Sequence, residues 1–330
     1  MHSISCLGKI SRRVGVLSRG LEEMFTDTAY AHDLAAELYE PLPEGLFDYK
    51  MDWDPTLLFF VLLAFLYVKG LRSFRGKVPI ARWQMVCFAL GVAVNCIALS
   101  PPIDPLSDRL FFMHMIQHML IVQVGSPLML LGVPFYVVSR GLSPSFRRRV
   151  YFPVIKNKLL RGAHRFFLIP IVSLVLYISN YWFWHVPRFY NWALLNDFVH
   201  LLEHAMMAFF SFYLWRNIVD PYPLRCAVPM GLRLIFLGAI MVLNSVLAAG
   251  LTYANTVWYA YEGIPMPKWW SYRWGHLDDQ RLGGLIMWVP GGFLTFLTMT
   301  ICFFVWVSRE NKRDLHVRES ERLKPSPSAA

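Results

Sequence analysis

Between positions 53 and 307 the chain repeats apolar runs of about 20 residues separated by short polar stretches. A run of that length, wound at about 1.5 Å per residue, is as long as a bilayer's hydrocarbon core is thick, roughly 30 Å. Seven runs are expected as membrane spans: 53–71, 83–100, 110–137, 166–184, 198–218, 230–251 and 282–307. None alternates with period two, and in lipid a helix satisfies its own backbone hydrogen bonds, so helices are expected rather than a barrel. The fold class is therefore all-α, an integral bundle of seven transmembrane helices. Charged residues make up only 16% of the chain, against roughly 25% in soluble domains, which excludes a soluble globular enzyme.

The net charge of +10 would suggest nucleic acid on a soluble protein. Here the basic residues lie between apolar runs and set topology, so no nucleic-acid partner is expected. Counting those at span ends with the adjoining loop, 22 of the 32 Lys and Arg fall after spans one, three and five and in the tail. The positive-inside rule then puts the N-terminus outside and the C-terminus in the cytoplasm. Five scattered cysteines without a CxxC pair suggest neither disulfides nor a thiolate zinc site.

Residues 1–52 are read as an extracytoplasmic N-terminal segment. The alternatives are a targeting segment, or a start placed too early with Met24 or Met51 as the true beginning. Residues 53–307 form the transmembrane domain, and 308–330, ending in a Pro/Ser/Ala run, a disordered cytoplasmic tail. Gly125-Ser126-Pro127, with Gly132 and Pro134 beyond, is expected to kink span three. The glycine pairs 283–284 and 291–292 around Pro290 should do the same in span seven.

Ionisable residues inside a membrane are costly to keep and mark function. His114 and His118 lie near the outer end of span three, and His200, Glu203 and His204 begin span five from the same side. Each histidine pair is spaced i, i+4, which stacks both imidazoles on one helical face about 6 Å apart along the axis, within chelating reach of one ion. His185 closes span four, His276 lies in the last external loop, and Asp279 immediately precedes span seven. Six of the ten histidines thus collect at one membrane face, while His164 and His316 fall inside and His2 and His32 in the N-terminal segment.

Imidazoles with thioether neighbours (Met113, Met115, Met119, Met206, Met207) suit copper, with zinc as the other candidate, and a carboxylate-poor set disfavours magnesium and calcium. The expected metal residues are His114, His118, His200 and His204, with His185 and His276 as weaker candidates. Glu203 and Asp279 are expected as orienting or exchanging groups. Plainer readings exist for each feature: headgroup-level hydrogen bonding for the histidines, packing for the methionines, and an interfacial belt for Trp182, Trp184, Trp269, Trp270 and Trp274. A haem held by two imidazoles would use the same residues. A copper or cation permease would use the cluster as its mouth.

Three stretches also carry a likeness to a known family. They are His114-Met115-Ile116-Gln117-His118-Met119-Leu120 continuing to Ser126-Pro127-Leu128-Met129-Leu130-Leu131-Gly132-Val133-Pro134; His200-Leu201-Leu202-Glu203-His204 continuing to Pro221-Tyr222-Pro223; and Asp279-Gln280-Arg281-Leu282-Gly283-Gly284-Leu285-Ile286-Met287-Trp288. In these the chain resembles the seven-span CtaG proteins, assembly factors for bacterial cytochrome c oxidase of the caa3 type. The resemblance implies a non-enzymatic role in the bacterial plasma membrane, handling copper for the oxidase's extracytoplasmic site. Its implied partners are cytochrome c oxidase subunits and the lipid bilayer.

Overall fold

A computed structural model describes residues 56–74, 80–220, 226 and 228–322. The N-terminal segment, the Pro221-Tyr222-Pro223 stretch and the end of the tail lie outside the described residues. The chain is all-helical, 83% helix and without strands among the described residues. The principal helices are α1 (Thr56–Arg72), α2 (Arg82–Ala98), α3 (Phe111–Leu131), α4 (Pro134–Gly141), α5 (Lys158–Phe167), α6 (Pro170–Trp184), α7 (Pro187–Leu194), α8 (Asp197–Ile218), α9 (Met230–Thr252) and α10 (His276–Arg322).

Each of the seven expected runs coincides with a helix. By length and composition three of them, α3, α9 and α10, suffice to cross a membrane, and a fourth does if α5 and α6 count as one bent span. The outer surface fits that setting. Leu58, Phe59, Ile235, Val242, Phe293 and Phe304 all stand exposed, far more apolar surface than a soluble fold leaves bare.

Three expected boundaries need correction. Span three does not reach 137: α3 stops at Leu131, and Val133, in the left-handed region at φ 52°, turns the chain into α4. Pro134 contributes, because a residue before proline is pushed out of the helical region. The fourth run does not begin at 166. Phe166 and Phe167 belong to α5, an amphipathic helix with Lys158, Arg161 and Arg165, set at 77° to α6. Finally α10 runs unbroken through Pro290 and on to Arg322, so residues 308–322 of the tail are helical rather than disordered.

Close approach of backbones holds the bundle, as expected where lipid is as apolar as the side chains and burial drives little. A Cβ on Gly70 would collide with the Val137 carbonyl, and one on Gly141 with the Leu66 carbonyl, so α1 and α4 touch main chain to main chain. Gly91 does the same between α2 and α3, where a Cβ would lie 2.6 Å from the Met129 amide nitrogen, and one on Gly125 would enter the Asn95 side chain.

The expected kink in α3 takes the form of a π-helical turn over Leu120–Gly125. Pro127 has no N–H to return to the turn before it. The Val122 carbonyl instead accepts from Ser211 Oγ at 2.9 Å and Trp215 Nε1 at 2.8 Å, both on α8. The proline thus frees a carbonyl in one histidine-bearing helix, and the other histidine-bearing helix satisfies it.

Candidate metal centre

The end of the bundle where α3 and α8 begin carries the polar cluster. Asn196 starts α8 by accepting from the Val199 amide at 3.0 Å, one turn before His200. The start of α3 is capped from far away: Asp279, at the head of α10, accepts from the Phe111 amide at 2.8 Å and the Phe112 amide at 3.0 Å. A carboxylate at a helix N-terminus meets both bare amides and the positive end of the dipole.

The residues after Asp279 complete the joint. Gln280 accepts from the Trp258 amide at 2.6 Å and donates to the Thr256 carbonyl at 3.2 Å, and Arg281 donates twice to the Ala254 carbonyl. A Cβ on Gly283 would enter the Phe111 ring, and one on Gly284 would lie 2.7 Å from the Thr252 amide nitrogen. The stretch from Asp279 to Gly284 is therefore a docking surface for α3 and α9.

Between α3 and α8 the four imidazoles pack as one group. His114 and His118 face each other with Nε2 atoms 2.9 Å apart. Ring centroids lie 5.1 Å apart for His114 and His200, 5.1 Å for His118 and His204, and 4.4 Å for His200 and His204. Glu203 projects among them, Oε2 3.9 Å from His114 Nε2 and Oε1 3.8 Å from His118 Nε2. It is 1% exposed, and neither of its oxygens has a hydrogen-bond partner among the described residues.

The donor set fits a metal ion. His114, His118 and His204, and likewise His114, His200 and Glu203, each offer three ligand atoms within 4.8 Å of one another. Two nitrogens 2.9 Å apart match a pair bound at about 2.05 Å at roughly a right angle to one ion. A buried carboxylate without a donor calls for a cation or a proton.

The other expected residues divide. His185, 4% exposed, follows α6 beside the group, its Nδ1 donating to the Tyr181 carbonyl at 2.7 Å. His276 stands apart at the head of α10 and belongs to neither ligand grouping. Asp279 is fully buried, but both its oxygens are taken by backbone amides. It orients α3 and belongs to neither ligand grouping.

The sequence reading missed the tyrosines. Tyr261 hydroxyl donates to the Ser107 carbonyl at 3.0 Å and lies 3.5 Å from His114 Nδ1, while Tyr190 hydroxyl is 2.8 Å from that of Tyr261. Tyr259 donates to the His185 carbonyl at 3.1 Å. The hydroxyls of Tyr261 and Tyr259 thus meet the His114 ring and the His185 backbone. Asp108 was missed too: its Oδ1 lies 4.0 Å from His200 Nδ1. The signal available was that all four residues stand in the loops and helix ends on the same side as the histidines.

The family model of the cytochrome c oxidase caa3 assembly factors (Caa3_CtaG) matches residues 65–309. The chain belongs to this family. The match takes in every helix of the caa3 assembly-factor bundle from α2 to α9, and all four central histidines. No curated protein matches the chain, and no solved structure does.

Proposed function

We propose that this caa3 assembly factor binds copper at the four-histidine, one-glutamate centre and serves the maturation of the oxidase's copper site. The observation that carries the reading is Glu203: a buried carboxylate with no donor, ringed by imidazoles from two helices. His114, His118, His200 and His204 would hold the ion. Glu203 would neutralise part of its charge, and Tyr261 and Tyr190 would fix the orientation of His114. Bound copper would supply the cargo that the oxidase requires. The protein's own part is to bind and release it, without catalysis.

In this reading all seven runs cross the plasma membrane of a bacterium. The N-terminus lies outside and the basic loops lie in the cytoplasm, following the distribution of Lys and Arg. The centre then opens toward the extracytoplasmic face, where His200 and Asp108 form its more accessible rim. The cavity beside His118 is about 20 Å³, enough for a water or an ion.

The test is metal content of purified protein, wild type beside His114→Ala and His204→Ala, with oxidase activity in a deletion strain rescued by each. Loss of copper and of rescue in both variants supports the reading. Full copper and full rescue in both would overturn it.

A further inference from the structure

The small cavity lies on the side of His118 away from the α3 start. Its wall includes His118, His185 and the side chains of Met115, Met119, Met207 and Met287, brought from α3, α8 and α10, with Gln123 of α3 and Tyr177 and Tyr181 of α6 also lining it. At about 20 Å³ it admits one water or one ion. His118 is 7% exposed and His185 4%. His118 Nδ1 and His185 Nε2 have no hydrogen-bond partner among the described residues.

The tautomer of His185 is set. Its Nδ1 is 2.7 Å from the Tyr181 carbonyl, an acceptor, so Nδ1 carries the proton and Nε2 carries a lone pair. His118 uses Nε2 toward His114 and Glu203 and keeps Nδ1 for the other side.

We infer that this cavity is a second cation subsite, for a soft monovalent ion such as Cu(I), with His185 and the thioethers as donors and His118 as the wall shared with the four-histidine centre. The chemistry of the two compartments differs in kind. The first offers imidazoles and a carboxylate, donors that suit a divalent ion. The second offers a neutral imidazole and four methionine side chains, a set that favours Cu(I), beside the Gln123 amide oxygen, which has no hydrogen-bond partner among the described residues. A single water would satisfy the two nitrogens but gain nothing from the sulfurs. The subsite rests on the copper reading for its biological sense, but its occupancy is measured separately.

The experiment uses the full chain in detergent, stripped of metal, titrated anaerobically with Cu(I) against a competing chelator, with X-ray absorption at the copper edge. Wild type is expected to show sulfur scatterers at about 2.3 Å. The double variant Met207→Leu, Met287→Leu keeps side-chain volume. It should lose that signal and bind Cu(I) at least tenfold more weakly, while Cu(II) binding at the four-histidine centre is retained. His185→Ala should weaken Cu(I) similarly. Nitrogen and oxygen scatterers alone in wild type, no Cu(I) bound, or unchanged affinity in the double variant would each overturn the subsite, leaving a cavity that holds water. A His114-dependent Cu(II) site surviving that outcome leaves the four-histidine reading intact, and its loss would sink that reading separately.

Discussion

His114 and His118, one helical turn apart on α3, turn their Nε2 atoms toward each other at 2.9 Å, and the Glu203 carboxylate of α8 faces both. Two imidazoles arranged so, beside an acid that has no donor, are a poor way to fill a helix interface. They are a good way to receive a cation.

Glu203→Gln separates affinity from stability. Loss of the carboxylate should weaken metal binding by roughly 10–100-fold. The metal-free protein should be at least as stable, because a buried charge without a donor is costly to the fold. Calorimetric metal titration and thermal unfolding of the same preparation check the two signs, and a metal-free variant less stable than wild type would count against this account of Glu203.

Asp279→Ala should act on the metal centre at one remove. It bares the amides of Phe111 and Phe112 at the head of the His114 helix, at about 1–3 kcal/mol for each buried donor left without an acceptor. Asp279→Asn, which keeps one acceptor oxygen, should fall between. Denaturant unfolding in detergent measures the ordering, and an unchanged midpoint for the alanine variant would show that the cap contributes nothing.

Two glycines of α10 should respond in opposite directions. At Gly283 an added Cβ meets the Phe111 ring, so Gly283→Ala should force α3 and α10 apart at a cost of about 1–3 kcal/mol. At Gly292 nothing lies within 4 Å, so Gly292→Ala should stabilise by up to about 1 kcal/mol through helix propensity. Melting temperatures of the pair test this, and equal shifts would refute it.

The opposite end of the bundle should respond to acid. Burial by itself raises the Asp220 carboxyl, but hydrogen bonds from Arg233 at 3.0 Å, the Cys226 amide at 2.8 Å and Arg309 at 2.8 Å outweigh it and hold the group below its ordinary range. Stability from a depressed carboxyl is full above the unfolded value, about 3.9, and fades as pH falls through the lower folded value. Asp220→Asn should therefore be less stable than wild type at pH 7, with the gap closing below about pH 4. Unfolding curves at pH 7 and pH 3 decide it, and a gap that persists unchanged at pH 3 would assign the loss to something other than charge.

The parts of this architecture legible in the sequence were those written in a local period. Apolar runs gave the helices, and i, i+4 spacing put His114 with His118 and His200 with His204. What joins distant segments was not legible. Asp279 reads as one more acid near the histidines until α10 is seen to begin where α3 does, and Tyr261 sits in a loop whose path no periodicity describes. The break at Val133 had a local sign in the following proline, but a buried β-branched residue in the left-handed region is an exception that neighbours enforce rather than a preference. The turn at Leu168 was hidden because α5 ends on Phe166 and Phe167, which extend the apolar run of α6.

The bridge from Asp279 to the head of α3 spans more than 160 positions of sequence. A ribosome delivers α3 long before it delivers α10. During that interval the two amides before the first histidine lack the carboxylate that caps them, while α2 and α8 already grip the rest of the helix. A nascent chain halted ahead of position 276 would carry all four imidazoles yet lack that cap. The turn of α3 that leads into the first histidine is thus capped only when synthesis is nearly complete.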